Sequence, residues 1–508
     1  MTPADLNLVL LAGTAVLLVG VAAVRVSTGV GLPSLLLYLA IGLAIGEAGL
    51  GLEFTDANLT ATLGSLALAV ILAEGGLTTD WRVVRPVAAL SGVLATVGVA
   101  VSVTVTSGLA YLLLDVDVRT AVLLGAVVSS TDAAAVFSVM RQLPLRPRTR
   151  AVLEAESGFN DPPVIILVTL VTSPAWVDFD VLSAALGFLQ QMVVGGLVGA
   201  AVALLATWVL ARTALPAAGL YPLATLAFAL LAYGAAGLAG GSPFLAVYVA
   251  GLVLGNTALP HKVTTLGFAE GLAWLAQIGL FVLLGLLASP ARLVDAVVPA
   301  LVVGVALTLI ARPLSVLLCA TPFRIPLREQ LFVSWAGLRG AVPIVLATLP
   351  ITAGLPGALA VFDVVFLLVV VFTLVQAPGL RRLAELLGLA QSTGTRDLTL
   401  EFAPFERLGA TMITLDVPLG SRLAGVYLSE LRLPGDAVIT LVLRDHSLFV
   451  PQPTTQLREG DHLLIAVNDQ HRAAAEKRLQ AVSRGGRLAA WHAAESSVSP
   501  ARPPRVAS

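Results

Sequence analysis

Glu154-Ala155-Glu156-Ser157-Gly158-Phe159-Asn160-Asp161-Pro162-Pro163 interrupts an otherwise membrane-like run between Val152 and Thr172. A carboxylate at bilayer depth costs about 3 kcal/mol on insertion scales, so it is rarely kept without a function. The stretch therefore reads as an ion or proton site inside a membrane helix. At helical spacing Glu156 with Asn160, and Ser157 with Asp161, are i,i+4 pairs that form two adjacent stripes on one face. Pro162 and Pro163 lack the N–H groups that would bond the carbonyls of Gly158 and Phe159, which frees backbone oxygens beside the carboxylates. Oxygen ligands suit a hard cation. The alternative, acids in a loop between two short apolar runs, is disfavoured by further polar interruptions in the chain.

Composition sets the class. Of 508 residues 57% are hydrophobic and 12% charged, and the mean hydropathy is +0.93, values of a polytopic membrane protein. A net charge of -1 gives no sign of a nucleic-acid partner, and the single cysteine, Cys319, excludes an internal disulfide framework. The histidines, His261, His446, His462, His471 and His492, lie outside the deep apolar spans, which argues against haem, HExxH zinc chemistry or a histidine proton wire. Met1 to Asn7 lacks the basic region of a cleaved signal peptide, so the first span is expected in the mature protein.

Apolar runs long enough to cross roughly 30 Å of hydrocarbon number about thirteen. They centre near Val16, Ile41, Ala67, Ala100, Ser130, Pro162, Gly196, Ala229, Ala250, Leu275, Leu307, Leu338 and Leu367. An odd count puts the termini on opposite sides, and Lys and Arg collect in short cytoplasmic loops. With the N-terminus outside, the inner loops hold Arg25; Arg82 and Arg85; Arg141, Arg146, Arg148 and Arg150; Arg212; Lys262; Arg312, Arg324 and Arg328; and Arg381 and Arg382. The outer loops hold only Arg119 and Arg292, and carry Glu53, Asp56, Asp115, Asp117, Asp178 and Asp180. The asymmetry predicts a cytoplasmic C-terminus in a cell inner or plasma membrane protein.

Two more segments place polar groups at depth. Ser129, Ser130, Thr131 and Asp132 interrupt the fifth span, and Gly337 to Pro343 form a breakable stretch in the twelfth. Pro343 leaves the carbonyl of Arg339 without its helical partner. Arg339 needs a carboxylate, for which Glu154, Glu156 and Asp132 are the candidates by depth. Broken spans in these two places fit spans one to six repeating, inverted, as spans eight to thirteen, with the substrate near the midplane.

Ser-Ser-Thr-Asp-Ala (129–133), Glu-Ala-Glu-Ser-Gly-Phe-Asn-Asp-Pro (154–162) and Gly-Leu-Arg-Gly-Ala-Val-Pro (337–343) resemble the monovalent cation:proton antiporters of the NhaP type, over residues 1–390. The resemblance implies an all-α polytopic domain of thirteen helices with inverted repeats and two interrupted crossing helices. It implies a homodimer whose mobile core bundle moves against a dimerisation bundle. By the same carry-over Asp161 binds either a cation or a proton, and Ser157, Thr131 and Glu74 help to ligate the cation. Asn160 completes the Asn-Asp motif, Glu156 pairs with Arg339, and Asp132 offsets the positive helix ends at the crossing.

The exchange chemistry also follows from charge alone. Burial drives a carboxylate toward its neutral form and a nearby cation toward its charged form, so Asp161 holds H⁺ or M⁺ but not both. If the empty charged carrier is too costly to move through the barrier, only loaded forms cross and exchange is obligatory. Asn160, standing where a second carboxylate could stand, points to one charge for one, an electroneutral antiporter rather than an enzyme.

Past span thirteen the pattern changes. Gln391 to Asp397 reads as a linker, and strands are expected at Leu398–Phe402, Thr411–Val417, Ala437–Leu443 and His462–Val467 of a small α+β cytoplasmic domain. Ser421 to Leu431 reads as a short helix capped by Ser421, and Arg444-Asp445-His446-Ser447 as a hairpin turn. Arg-Glu-Gly-Asp-His-Leu-Leu-Ile (458–465) resembles the C-terminal module of potassium-conductance regulators, the TrkA-C type, over residues 398–480. This implies a dimerising regulatory module for a small ligand, cyclic di-AMP being the candidate; a module that only dimerises is the equal alternative. No other cofactor is expected. Residues 481–508 have the composition of a disordered tail.

The module favours K⁺ over Na⁺ as the cation, by analogy. A ligand-gated potassium channel would explain the module too, but no Thr-Val-Gly-Tyr-Gly filter is present. A sodium-coupled symporter would need a pocket for an organic solute, and no nucleophile and base stand out for an intramembrane enzyme. The expected partners are the cation, the proton and membrane lipid.

Overall fold

The computed structural model describes residues 3–485 except 31–32, 48, 50, 52–53, 55, 132–144, 177–179, 390–401, 406–409, 419–420, 434–436, 446 and 469–470. The chain divides into two units, Met1–Gln391 and Ser392–Ser508.

The first unit is helical. Its elements are α1 (Pro3–Val30), α2 (Ser34–Ile45), α3 (Ala57–Thr78), α4 (Ala88–Leu113), α5 (Val118–Ser129), α6 (Pro147–Thr172), α7 (Val181–Arg212) and α8 (Leu220–Leu238). They continue with α9 (Pro243–Gly255), α10 (Lys262–Leu287), α11 (Pro290–Ala320), α12 (Leu327–Trp335), α13 (Ala341–Thr352) and α14 (Ala358–Leu386). Among the described residues seven helices are long and apolar enough to cross a membrane, so this is a multi-pass membrane protein. Of the expected centres, only Ser130 and Leu338 fall outside a helix, and both fall at breaks: Ser130 just past the end of α5, Leu338 between α12 and α13.

Several acids assigned to outer loops are helix caps. Asp56, Asp117 and Asp180 accept the backbone N–H of Leu59, Thr120 and Ser183 at the starts of α3, α5 and α7. Each such cap contributes about 1 kcal/mol. The Thr120 hydroxyl also bonds Asp117 at 2.6 Å, which holds the Asp117 carboxyl below its usual range.

The helices sort into two bundles. In one, α9 packs on α3, α7 and α8, and α10 on α2 and α3. In the other, α4 packs on α5, α6 and α11, and α14 on α11, α12 and α13. Glycines let the first bundle close tightly: a Cβ on Gly76 would meet the carbonyl oxygen of Tyr248 at 2.5 Å, and one on Gly251 that of Ala73 at 2.5 Å. Small residues at a membrane helix crossing allow this backbone-to-backbone approach. The second bundle carries two π turns, Leu94–Gly98 in α4 and Ala306–Ala311 in α11. Such turns recur at functional sites.

The second unit is a five-stranded antiparallel sheet in the order β1-β2-β5-β3-β4: β1 Phe402–Phe405, β2 Ala410–Asp416, β3 Val438–Arg444, β4 Ser447–Phe449 and β5 His462–Asn468. A helix, α15 (Arg472–Gly485), follows and extends five residues into the expected tail; the rest of that tail, and the linker at 391–397, lie outside the described residues. The expected first strand begins there too. In place of the expected helix over Ser421–Leu431 there is a 3-10 turn, Leu428–Glu430, because the Ser421 hydroxyl accepts from Leu423 N–H at 3.3 Å in a local turn and starts no helix. Arg444 pairs with Ser447 across the β3–β4 turn, where Asp445 has a φ of +44°, in line with the hairpin reading.

Beneath the sheet Arg444 makes two 2.7 Å bonds to Asp461, which is fully buried and also accepts Arg458 N–H at 2.8 Å. The carboxylate raises the Arg444 pKa. Arg444→Met would leave that carboxylate without its ion partner. Its expected cost is about 3 kcal/mol, read as faster amide exchange in β3 and β5 of the full chain.

Candidate functional site

The acidic stretch lies in one continuous helix, α6, with Pro162 and Pro163 inside it. Glu156, Ser157, Asn160 and Asp161 are all buried. Glu154 is not part of that cluster: nearer the start of α6, it pairs with Arg150 at 2.6 Å, an i,i+4 contact along its own helix.

Facing α6 is the end of α5. Ser130 leaves helical geometry, with ψ 139°, and turns its hydroxyl to donate to Asp161 Oδ1 at 2.5 Å. Asn160 Nδ2 donates to Thr131 Oγ1 at 2.5 Å, and Thr131 Oγ1 lies 3.2 Å from Ser157 Oγ. Four of the expected residues, Asp161, Ser157, Thr131 and Asn160, therefore meet in one place. Ser130 joins them, a residue whose place in a Ser/Thr cluster gave no sign of its partner. Glu74 lies half-buried on α3, a helix that touches α6 from the other bundle. Asp132 lies outside the described residues.

The twelfth span breaks as expected between Trp335 and Ala341. Arg339, in the break, does not bond Glu156. Its Nη1 donates to the carbonyls of Ser129 and Ser130, at 3.0 and 2.7 Å. These are carbonyls at the end of α5, so the cation meets negative helix-end charge. The carbonyl of Arg339, expected to be freed by Pro343, accepts from the Thr373 hydroxyl of α14 at 2.9 Å. The two breaks are thereby joined.

Glu156 instead bonds Arg312, through Nη1 to Oε1 and through Nη2 to Oε2 at 2.9 Å. Charge counting puts Arg312 in an inner loop; it lies inside α11, directly after the π turn, and is 5% exposed. A two-point guanidinium–carboxylate bond is the strongest available to Glu156, and the geometry of α11 supplies it where α12 and α13 do not. Gly337 makes room for it: a Cβ there would sit 2.9 Å from Arg312 Nε.

This site can hold a monovalent cation chemically. Carboxylate and hydroxyl oxygens meet there, and Asn160 Oδ1 is a buried acceptor without a hydrogen-bond donor among the described residues. Such an acceptor is costly unless something else meets it.

The comparisons agree with this architecture. The chain is 40% identical over 388 residues to the K(+)/H(+) antiporter NhaP of Alkalimonas amylolytica, covering 76% of this chain and 67% of that protein. It is 36% identical over 474 residues to the K(+)/H(+) antiporter NhaP2 of Shewanella sp. (strain ANA-3), covering 91% and 81%. The sodium proton antiporter MjNhaP1 of Methanocaldococcus jannaschii shares the fold, with a TM-score of 0.66 at 23% identity over 76% of this chain and 100% of that one. A TrkA-C domain model matches residues 412–480. With the model for the transmembrane sodium/hydrogen exchanger matching residues 14–386, the chain belongs to the sodium/hydrogen exchanger family.

Proposed function

We propose that this cation:proton antiporter exchanges one potassium ion for one proton at Asp161, without net charge movement. The observation that carries the reading is the unequal treatment of two buried carboxylates on one helix. Glu156 is bound two-fold by Arg312, whereas Asp161 accepts the Ser130 hydroxyl beside the oxygens of Thr131 and Ser157. A hydroxyl can give way to an incoming cation, or accept a hydrogen bond from the protonated acid. Glu156 is thus a fixed part of the frame and Asp161 the exchanging group, with Asn160 contributing no second charge.

In this reading Ser157, Thr131, Glu74 and the carbonyls of Gly158 and Phe159 complete the cation shell. The bundle of α4, α5, α6 and α11 to α14 carries the site between the two sides, past the bundle of α1 to α3 and α7 to α10, in a thirteen-span homodimer. The N-terminus is outside and the C-terminus cytoplasmic, and the protein is a carrier rather than an enzyme. K⁺ is favoured by the names of the relatives at 36–40% identity and by the TrkA-C domain. Na⁺ is the second reading, favoured by the name of the structural neighbour. The TrkA-C domain regulates transport, with cyclic di-AMP as the ligand to test.

Reconstituted vesicles with an imposed pH gradient test the proposal. A K⁺ pulse should collapse the gradient at the same rate whether or not a membrane potential is imposed. A Na⁺ pulse alone doing so would transfer the reading to sodium; K⁺ flux that builds a potential and moves no protons would point to a channel.

A further inference from the structure

We infer that Tyr248 is a fixed counter-surface over which the site-bearing helix must pass, and that Gly158 is glycine to allow it. The inference rests on the alternating-access reading above. Gly158 lies on α6 between Ser157 and Phe159, and Tyr248 lies on α9 in the facing bundle. A Cβ on Gly158 would fall 2.6 Å from Tyr248 Oη, 3.0 Å from Cζ and 3.1 Å from Cε2. At 2.6 Å the ring would have to shift, so as it stands it rests on the bare backbone of α6. The next residue, Phe159, meets the same ring edge to face, with centroids 6.2 Å apart and planes at 86°.

The ring has little freedom to yield. Tyr248 is 3% exposed, and its carbonyl oxygen sits within 2.5 Å of where a Gly76 Cβ would be, at the tight α3–α9 crossing. Its backbone is therefore clamped to α3 while its ring faces the other bundle. The oxygens of Asp161, Ser157 and Thr131, in contrast, belong to α6 and the segment just past α5, and travel together. A methyl group at position 158 leaves that set intact but wedges the two bundles apart at their contact. Alanine is the better helix former, so the helix itself gains from the change. The penalty falls on relative motion, which sets turnover in many gated systems.

The test uses the full chain in vesicles, with K⁺ as the probe. Gly158→Ala should lower the maximal exchange rate at least tenfold while the K⁺ half-saturation stays within twofold. Adding Tyr248→Leu should return the rate to within about threefold of wild type, a non-additive rescue that mutual contact produces. Gly158→Ala at the wild-type maximal rate, a changed half-saturation at unchanged maximal rate, or no relief by Tyr248→Leu would each overturn the inference. Should Gly158→Ala fail to assemble, Tyr248→Trp against the native glycine is read by the same split, and a wild-type rate overturns the inference. Wild-type vesicles with no K⁺-driven proton flux would instead sink the potassium reading, before any variant is compared.

Discussion

Asp161→Asn is expected to reduce cation-driven proton flux to the level of protein-free vesicles, the largest effect of any single change in this chain. Asparagine cannot take up a proton in the working pH range, and its neutral oxygen offers a cation no charge to balance dehydration. The fold should survive, because the Ser130 hydroxyl donates to Asp161 Oδ1 at 2.5 Å and an amide oxygen accepts the same bond. Expression and melting temperature close to wild type, with no flux, are therefore the expected pair of results. Exchange at the wild-type rate would sink the assignment of Asp161.

The second large effect falls on stability. Arg312→Met leaves Glu156 buried at 2% exposure and stripped of its bidentate partner. Breaking a buried ion pair from one side costs about 3–5 kcal/mol, whereas replacing both partners with apolar groups of similar volume is often neutral. Arg312→Met should thus drop the melting temperature and the yield, and Arg312→Met with Glu156→Leu should recover most of both. Equal losses in the single and double variants would show that the pair is not what holds α6 to α11. Arg339 bonds Ser129 and Ser130 and not Glu156, so the rescue reads the Arg312–Glu156 bond.

Much of the membrane unit is legible in the sequence because each signal is local. Long apolar runs report helices, and Ser129–Thr131 and Gly337–Gly340 report the places where helices stop. The i,i+4 spacing of Ser157 with Asp161 puts both on the face that Ser130 and Thr131 meet. What stays illegible is pairing across the chain. Choosing between Arg312 and Arg339 for Glu156 requires the rotation of α11 about its axis, and no periodicity in the sequence carries that. Tyr248 sits in an unbroken apolar run and reads as one more core aromatic. In the second unit β4 is only three residues long, too short to show alternation, and α15 is mostly polar, so neither announces itself.

The π turn at Ala306–Ala311 gives α11 a property that no side chain on it has. An α-helix advances about 100° per residue, and a wider turn accommodates a residue that the regular screw would not. Everything from Arg312 onward is therefore out of phase with the part of α11 before it. Were the same residues wound on the regular screw, with none removed, the guanidinium would swing by about 100°, away from Glu156. Side chains at 306–311 can be exchanged with little consequence for that angle as long as the wide turn is kept. In this helix the width of one turn, more than the chemistry of its side chains, decides which way the charge points.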